Sequence, residues 1–168
     1  MTGAAGGGLI RVKARAAPIA ANAALGRMED AVAESAVEVG TTPYDLVGGA
    51  ERVRAIVDRF YDLMDQEEGF AELRALHAAD LAPMRASLSG FLTGWLGGPR
   101  DWFVDNPGKC MMSLHAPIAV TPQTAGQWIE AMRRAITDAA VDPEIAARMI
   151  EALTGMARGM IRAPRPVD

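Results

Sequence analysis

The sequence predicts an all-α protein whose helices pack around a hydrophobic core. Three observations lead to this fold class. From Pro43 onward, apolar residues recur at intervals of three and four, which is the spacing of amphipathic helices. No stretch of the sequence alternates polar and apolar residues for long enough to indicate a β-strand. Proline and glycine stand at the ends of the periodic stretches, where helices start and stop.

Length and composition are those of one ordinary globular domain. The chain has 168 residues, 50% of them hydrophobic, and a chain of this size folds without disulfides or a structural metal. One cysteine, Cys110, and two histidines exclude a zinc-finger ligand set. The net charge of −4 argues against a nucleic-acid-binding protein. No apolar run reaches the ~18 residues that span a bilayer, so we expect a cytoplasmic protein without a membrane span.

Residues 1–42 differ in composition from the rest of the chain. The first twenty are glycine, alanine and small apolar residues, with Arg11, Lys13 and Arg15 but no acid. These basic residues and Pro18 interrupt the apolar stretches, so a signal-peptide core is not expected. We therefore predict a flexible or loosely helical N-terminal extension over residues 1–42 and a folded domain over residues 43–168.

Four longer helices are predicted in the folded domain. The first covers residues 49–68, a short piece follows over residues 70–77, and the second helix runs from residue 81 to residue 95. Residues 99–108 are predicted to be a loop. The start signals of the last two helices, each an N-cap residue followed by proline, are Thr121-Pro122 and Asp142-Pro143.

His115 is the candidate metal ligand. A neutral imidazole binds haem iron well, and a single axial histidine leaves the sixth coordination position open for a gas. The sequence has no Cys-x-x-Cys-His motif, so any haem would be held noncovalently. A histidine on an apolar segment ended by Pro117 can equally be a core side chain bonded to a carbonyl. Tyr61 and Trp128 also lie on apolar stripes, where such residues are usually packing, so their residue types alone assign no role.

Five motifs taken together resemble the group II truncated haemoglobins. In chain order they are Pro43-Tyr44-Asp45-Leu46-Val47-Gly48-Gly49, Arg59-Phe60-Tyr61, Phe91-Leu92-Thr93-Gly94-Trp95-Leu96-Gly97-Gly98-Pro99, His115-Ala116-Pro117 and Trp128. Their order and spacing agree across residues 43–162, and the resemblance does not extend to residues 1–42. It implies a truncated globin fold, a two-over-two helical sandwich. In that fold the helix of Tyr61 pairs with the helix that ends at Trp95, and the two C-terminal helices pair with each other.

The resemblance also implies haem b as cofactor and a role for each matching position. His115 corresponds to the proximal iron ligand, and Tyr61 and Trp128 to distal hydrogen-bond donors. His77 falls at the distal corner of the pocket, and the distal wall is formed by Met84 and Leu88. The implied haem contacts are Phe60, Phe91, Leu92, Trp95, Trp102, Met111, Leu114 and Ile118. Many relatives pair the haem propionates with arginines at positions that here hold Met112 and Leu114, and the nearest cations that could replace them are Arg100 and Lys109.

The function that the resemblance implies is binding of dioxygen or another diatomic gas at ferrous iron. Dioxygen gains negative charge when it binds, so hydroxyl and indole donors in a dry pocket stabilise it. Oxygen transport, detoxification and sensing all remain open. The alternatives are a haem peroxidase, a nitric oxide dioxygenase, or a haem-free helical interaction module. The sequence also leaves open a reductase partner and the choice between monomer and homodimer.

The composition boundary near Gly40 gives a first testable prediction. A shortened chain that begins at Thr41 should fold and bind haem as the full chain does, because residues 1–40 offer few side chains for a core. Limited proteolysis of the full chain should cut first within residues 1–40. A protease-resistant extension, together with a shortened chain that cannot hold haem, would contradict the boundary.

Overall fold

Helices build the fold in the part of the chain that is described. A computed structural model describes residues 40–109 and 114–161. The helices are α1 (Pro43–Val47), α2 (Gly49–Gln66), a 3-10 helix (Glu68–Phe70), α3 (Ala71–Ala75), α4 (Ala82–Trp95), α5 (Asp101–Asp105), α6 (Pro122–Asp138) and α7 (Pro143–Gly159). Leu114 and His115 also have helical backbone. Within these residues there is no strand, which agrees with the predicted fold class.

The four longer helices form two packed pairs. Helix α2 packs against α4, α6 packs against α7, and the pairs meet where α2 contacts α6. Helix α2 supplies the centre of the core, because six of its side chains are at most 1% exposed: Val53, Ile56, Val57, Phe60, Leu63 and Met64. The pairing is the one that the resemblance implies.

The predicted start signals cap α6 and α7. The Thr121 hydroxyl accepts a hydrogen bond from the Thr124 amide at 3.1 Å, and the Thr124 hydroxyl accepts one from the Thr121 amide at 3.0 Å. Asp142 Oδ1 accepts from the amides of Glu144 at 2.9 Å and Ile145 at 3.3 Å. Each cap satisfies amides that have no partner inside the helix, which fixes where the helix begins.

Helix α1 is tied to the end of α4. Thr42, which the sequence assigns to the end of the extension, caps α1 by accepting from the Asp45 amide at 3.2 Å. The Tyr44 amide donates to the carbonyl of Leu96 at 2.8 Å. A Cβ on Gly98 would lie only 2.8 Å from the Tyr44 ring, so glycine is needed for this close approach. The Tyr44 motif and the Gly-Gly-Pro motif are therefore two sides of one contact.

The predicted loop over residues 99–108 is wrong, because Asp101–Asp105 forms the short helix α5. Five residues are too few to display helical periodicity, so the sequence pattern carries no signal there. What holds α5 is packing against glycines of α4: a Cβ on Gly90 would lie 3.0 Å from Trp102, and one on Gly94 only 2.7 Å from Phe103.

Parts of the sequence predictions lie outside the described residues. These are the extension up to residue 39, the predicted haem contact Met111 with its neighbours Cys110 and Met112, and the last seven residues. Among the described residues, no helix is both long enough and apolar enough to cross a membrane.

The α4–α5 contact predicts that Gly94→Ala destabilises the fold. The new methyl group would overlap the Phe103 ring and press on the Pro99 carbonyl, 3.3 Å away. Overpacking of this kind costs about 1–3 kcal/mol, which urea unfolding measures.

Gly155→Ala on α7 is the matched control, because a Cβ there meets nothing within 4 Å. Alanine is the better helix former, so this control should be neutral or more stable by up to about 1 kcal/mol. Equal stability of the two variants would contradict the predicted overlap.

Candidate functional site

An apolar cavity of about 260 Å³ lies between the helices. Its lining comes from α2, α3, α4, α6, α7, residues 76–78 and 114–120, and Met160. Most of the lining side chains are aliphatic or thioether groups, and none of those described is an aspartate, glutamate, arginine or lysine. The polar side chains on the cavity are Tyr61, His77, Ser87, His115, Thr124 and Trp128. An apolar hollow with few polar groups is the usual form of a small-molecule or cofactor site.

Most of the residues that the resemblance assigned to the pocket line this cavity. His115 and the five distal residues, which are far apart in sequence, all contribute to it: Tyr61, His77, Met84, Leu88 and Trp128. So do four of the expected haem contacts, namely Phe91, Leu92, Leu114 and Ile118. The fold therefore gathers the chemistry-bearing residues at one place.

Three expected haem contacts lie behind the lining rather than on it: Phe60, Trp95 and Trp102. Phe60 is fully buried, and its ring centroid lies 4.9 Å from that of Tyr61 and 5.6 Å from that of Trp128. Trp95 is buried with its ring centroid 6.5 Å from that of Phe91. Each of the three thus backs a residue that does line the cavity.

The two propionate candidates do not line the described cavity. Arg100 is exposed, and its guanidinium lies 5.1 Å from the ring centroid of Phe103. Lys109 is also exposed and donates a hydrogen bond to Asn106 Oδ1 at 3.0 Å. Both side chains are occupied at the surface.

Ser87, Thr124 and one face of α7 line the cavity without having been predicted to do so. The Ser87 hydroxyl accepts a hydrogen bond from Trp102 Nε1 at 2.9 Å, so α5 supports this wall from behind. The α7 residues are Leu153, Met156 and Ala157, and Met160 follows directly after this helix. Their apolar spacing predicts a buried face, but spacing alone cannot distinguish a packed core from the wall of a cavity.

Tyr61 is held in a buried position with its ring surrounded. The residue is 5% exposed, with the His77 ring centroid 6.0 Å from its own in an edge-on arrangement. Burial raises the pKa of the Tyr61 phenol to about 12, and the nearby charge of Arg85 acts in the opposite direction. The hydroxyl therefore remains protonated at neutral pH and is available as a hydrogen-bond donor.

His77 is held as a neutral ring. Burial lowers the pKa of His77 below its ordinary value, and its hydrogen bond to the Leu73 carbonyl opposes that effect. The ring nitrogen Nδ1 lies 2.9 Å from this carbonyl oxygen. Because a carbonyl only accepts, Nδ1 carries the proton and Nε2 keeps the lone pair. At neutral pH His77 is thus suited to accept a hydrogen bond through Nε2 rather than donate one.

The donor set of the cavity suits a metal that brings most of its own ligands. Among the described residues there is no group of three histidines, cysteines or carboxylates that could hold a bare ion. His115 is half-buried at the cavity, on a helical turn shortly before Pro117. A porphyrin supplies four nitrogen ligands to iron and needs one axial imidazole and apolar walls from the protein. The residues present fit that requirement.

The sequence profile of the bacterial-like globin family matches residues 42–162. The chain belongs to this family. The globin is 25% identical over 126 residues to the group 2 truncated hemoglobin YjbI of Bacillus subtilis (strain 168), which covers 75% of this chain and 92% of that protein. The family and this relative support haem-based gas binding as the function of the globin.

Solved structures of similar proteins have the expected two-over-two fold. The group II 2-on-2 hemoglobin of Agrobacterium tumefaciens is 28% identical, with a TM-score of 0.72 over 75% of this globin and 98% of that chain. The truncated oxygen-avid haemoglobin of Bacillus subtilis is 25% identical, with a TM-score of 0.67 over 73% of this globin and 100% of that chain. The fold class and the group II resemblance expected from the sequence are both confirmed.

Proposed function

We propose that this globin holds haem b through His115 and binds dioxygen at the ferrous iron, with Tyr61 and Trp128 as hydrogen-bond donors to the ligand. The observation that carries the proposal is the convergence of these three side chains on one apolar cavity. Haem held by His115 would supply an iron that can bind a diatomic gas. The oxygen-avid relative in Bacillus subtilis supports dioxygen as the ligand.

Apolar walls give the cavity two roles in this proposal. Apolar side chains line the cavity, among them Leu88, Phe91 and Met156. They would remove the faces of a flat macrocycle from water, which favours its binding. The same walls exclude water from the ligand position, which strengthens every hydrogen bond made there. One set of apolar residues would therefore both bind the cofactor and exclude water from the ligand position.

Tyr61 and Trp128 supply donors of two kinds. Tyr61 presents a hydroxyl whose proton is retained at neutral pH, because burial keeps its pKa at about 12. Trp128 carries a single indole N–H and cannot accept a hydrogen bond through it. Both rings pack against fully buried Phe60, which restricts their movement. Two fixed donors favour a ligand that becomes negatively charged on binding over one that stays nearly apolar.

We place the globin in the cytoplasm as an oxygen-binding and oxygen-transporting protein. Iron must be ferrous to bind dioxygen, so an electron donor such as a reductase belongs to the proposed partners.

Replacement of the axial histidine tests the cofactor assignment. His115→Ala should remove most of the haem affinity or leave a weakly held haem with an altered spectrum, whereas His77→Ala should retain a normal Soret band. Both histidines line the cavity, so the pair is a matched comparison. Haem titration of the two purified variants measures the difference. Loss of haem in His77→Ala together with a normal spectrum in His115→Ala would reverse the assignment.

Removal of the donors tests the assignment of the ligand. A hydrogen bond to a charged acceptor contributes about 1.5–3 kcal/mol, so Tyr61→Phe or Trp128→Phe should speed oxygen dissociation by roughly ten- to a hundredfold. Carbon monoxide release should change much less. The two effects should be non-additive in the double variant, because both donors address one ligand. Stopped-flow ligand displacement measures all three rates.

Tyr44→Phe is the matched control, since Tyr44 does not line the described cavity. This control should release oxygen as the parent protein does. Unchanged oxygen release in Tyr61→Phe and in Trp128→Phe would refute the proposed donors.

A further inference from the structure

Arg85 joins the distal wall of the cavity to the helix that carries Tyr61. It follows the cavity residue Met84 directly on α4. Its Nη1 donates to the Asp58 carbonyl at 2.7 Å and lies 3.3 Å from Asp58 Oδ1, and its Nη2 donates to Asp62 Oδ1 at 2.6 Å. Asp58 and Asp62 stand three residues before and one residue after Tyr61 on α2. The guanidinium is thus bonded to α2 at one residue before Tyr61 and one residue after it.

The same guanidinium packs on the Tyr61 ring. Its central carbon lies 5.5 Å from the ring centroid, within the range of a cation–π contact. Phe60 and His77 meet the ring with their own rings edge-on, at 4.9 Å and 6.0 Å between centroids. Among the described residues, Phe60, His77 and Arg85 make ring or cation–π contacts with Tyr61, and of these three Arg85 is the one held by ion pairs.

The ion pairs of Arg85 contribute little to the stability of the fold. The side chains of Asp58 and Asp62 are 50% and 43% exposed, and ion pairs with partners this exposed contribute little to folding. The position of the charge matters more than its pairing energy. A cation over a buried phenol opposes the effect of burial and makes its hydroxyl a stronger hydrogen-bond donor.

We propose that Arg85 is a positioning residue for ligand control, which fixes the Tyr61 ring in the orientation from which its hydroxyl reaches the bound gas. The proposal rests on the function proposed above, because it assumes that Tyr61 is a distal donor. Arg85 acts through Tyr61 and does not itself line the cavity. The hydrogen bonds to Asp58 and Asp62 fix the guanidinium against the Tyr61 ring, and this contact holds the ring in place. The positive charge over the ring makes its hydroxyl a stronger hydrogen-bond donor.

Arg85→Met is the decisive variant, because methionine keeps an unbranched stem and removes the charge and both ion pairs. Oxygen dissociation should become roughly two- to fivefold faster, which is the effect of losing one cation–π contact. Arg85→Lys should give an intermediate rate, because an ammonium keeps the charge but cannot form the same fork. In a Tyr61→Phe background, Arg85→Met should change the rate no further.

Arg134→Met is the matched control. Arg134 also forms a two-armed ion pair, with both Glu67 carboxylate oxygens at 2.6 Å, and its guanidinium lies 5.8 Å from the Phe70 ring centroid. It does not line the cavity or contact Tyr61. Its loss should leave oxygen release unchanged. Thermal unfolding and the Soret band of every variant show whether the fold and the haem are retained.

Nuclear magnetic resonance of the carbon monoxide complex gives a readout that does not depend on oxygen kinetics. The chain has two tyrosines, so Tyr44→Phe leaves Tyr61 as the one labelled ring. A fixed ring should give separate signals for its two edges, and Arg85→Met should average them. Arg134→Met should leave the signals separate.

The outcomes separate the two proposals. If Tyr61→Phe speeds oxygen release but Arg85→Met does not, the positioning role is wrong and the donor role stands. An Arg85→Met effect that persists in the Tyr61→Phe background would also overturn the positioning role, as would unchanged ring signals. If Tyr61→Phe itself leaves oxygen release unchanged, the donor assignment fails and ligand control by Arg85 fails with it.

Discussion

Burial of one face of α2 is the constraint on which the rest of the structure depends. Its central side chains, including Ile56, Phe60 and Leu63, are completely buried between α4 and α6. Because Tyr61 follows Phe60 directly, the packing that buries Phe60 also sets the side of α2 from which the Tyr61 side chain projects. Phe60 contacts Trp128 on α6 as well, so one core residue holds both proposed donors. The hydrophobic core thus determines the geometry of the site before any ligand is present.

Close contacts at glycines join α4 to the shorter helices around the core. Gly90 and Gly94 let Trp102 and Phe103 approach the back of α4, while Gly98 accepts the Tyr44 ring. These contacts hold α4 and the residues that follow it, and the hydrogen bond from Trp102 to Ser87 extends that support to the lining.

The sequence predicts the long helices well, because each buries a face long enough to show periodicity and starts at a recognisable cap. It misses α5, which is fixed by contacts with distant glycines that no local pattern reports. The polar groups of the site were predicted through motifs of a known family, since the types of His115, Tyr61 and Trp128 alone favour packing as the interpretation. The α7 wall was missed because Leu153 and Met156 would have the same spacing in a filled core.

No acidic side chain, arginine or lysine is among the described residues that line the cavity, but the charge of Arg85 lies close to the lining residue Tyr61. Tyr61 and His77 are both neutral at pH 7, and burial disfavours the charged form of each. Arginine ion pairs instead lie on the outer faces of the helices, and among the described arginines Arg85 is the one whose guanidinium also covers a lining ring. An exposed ion pair loses its strength to solvent, but a cation over a buried ring acts through protein rather than water. A charge in that position can adjust the strength of a donor without wetting the pocket, since the side chain that carries it stays partly in solvent.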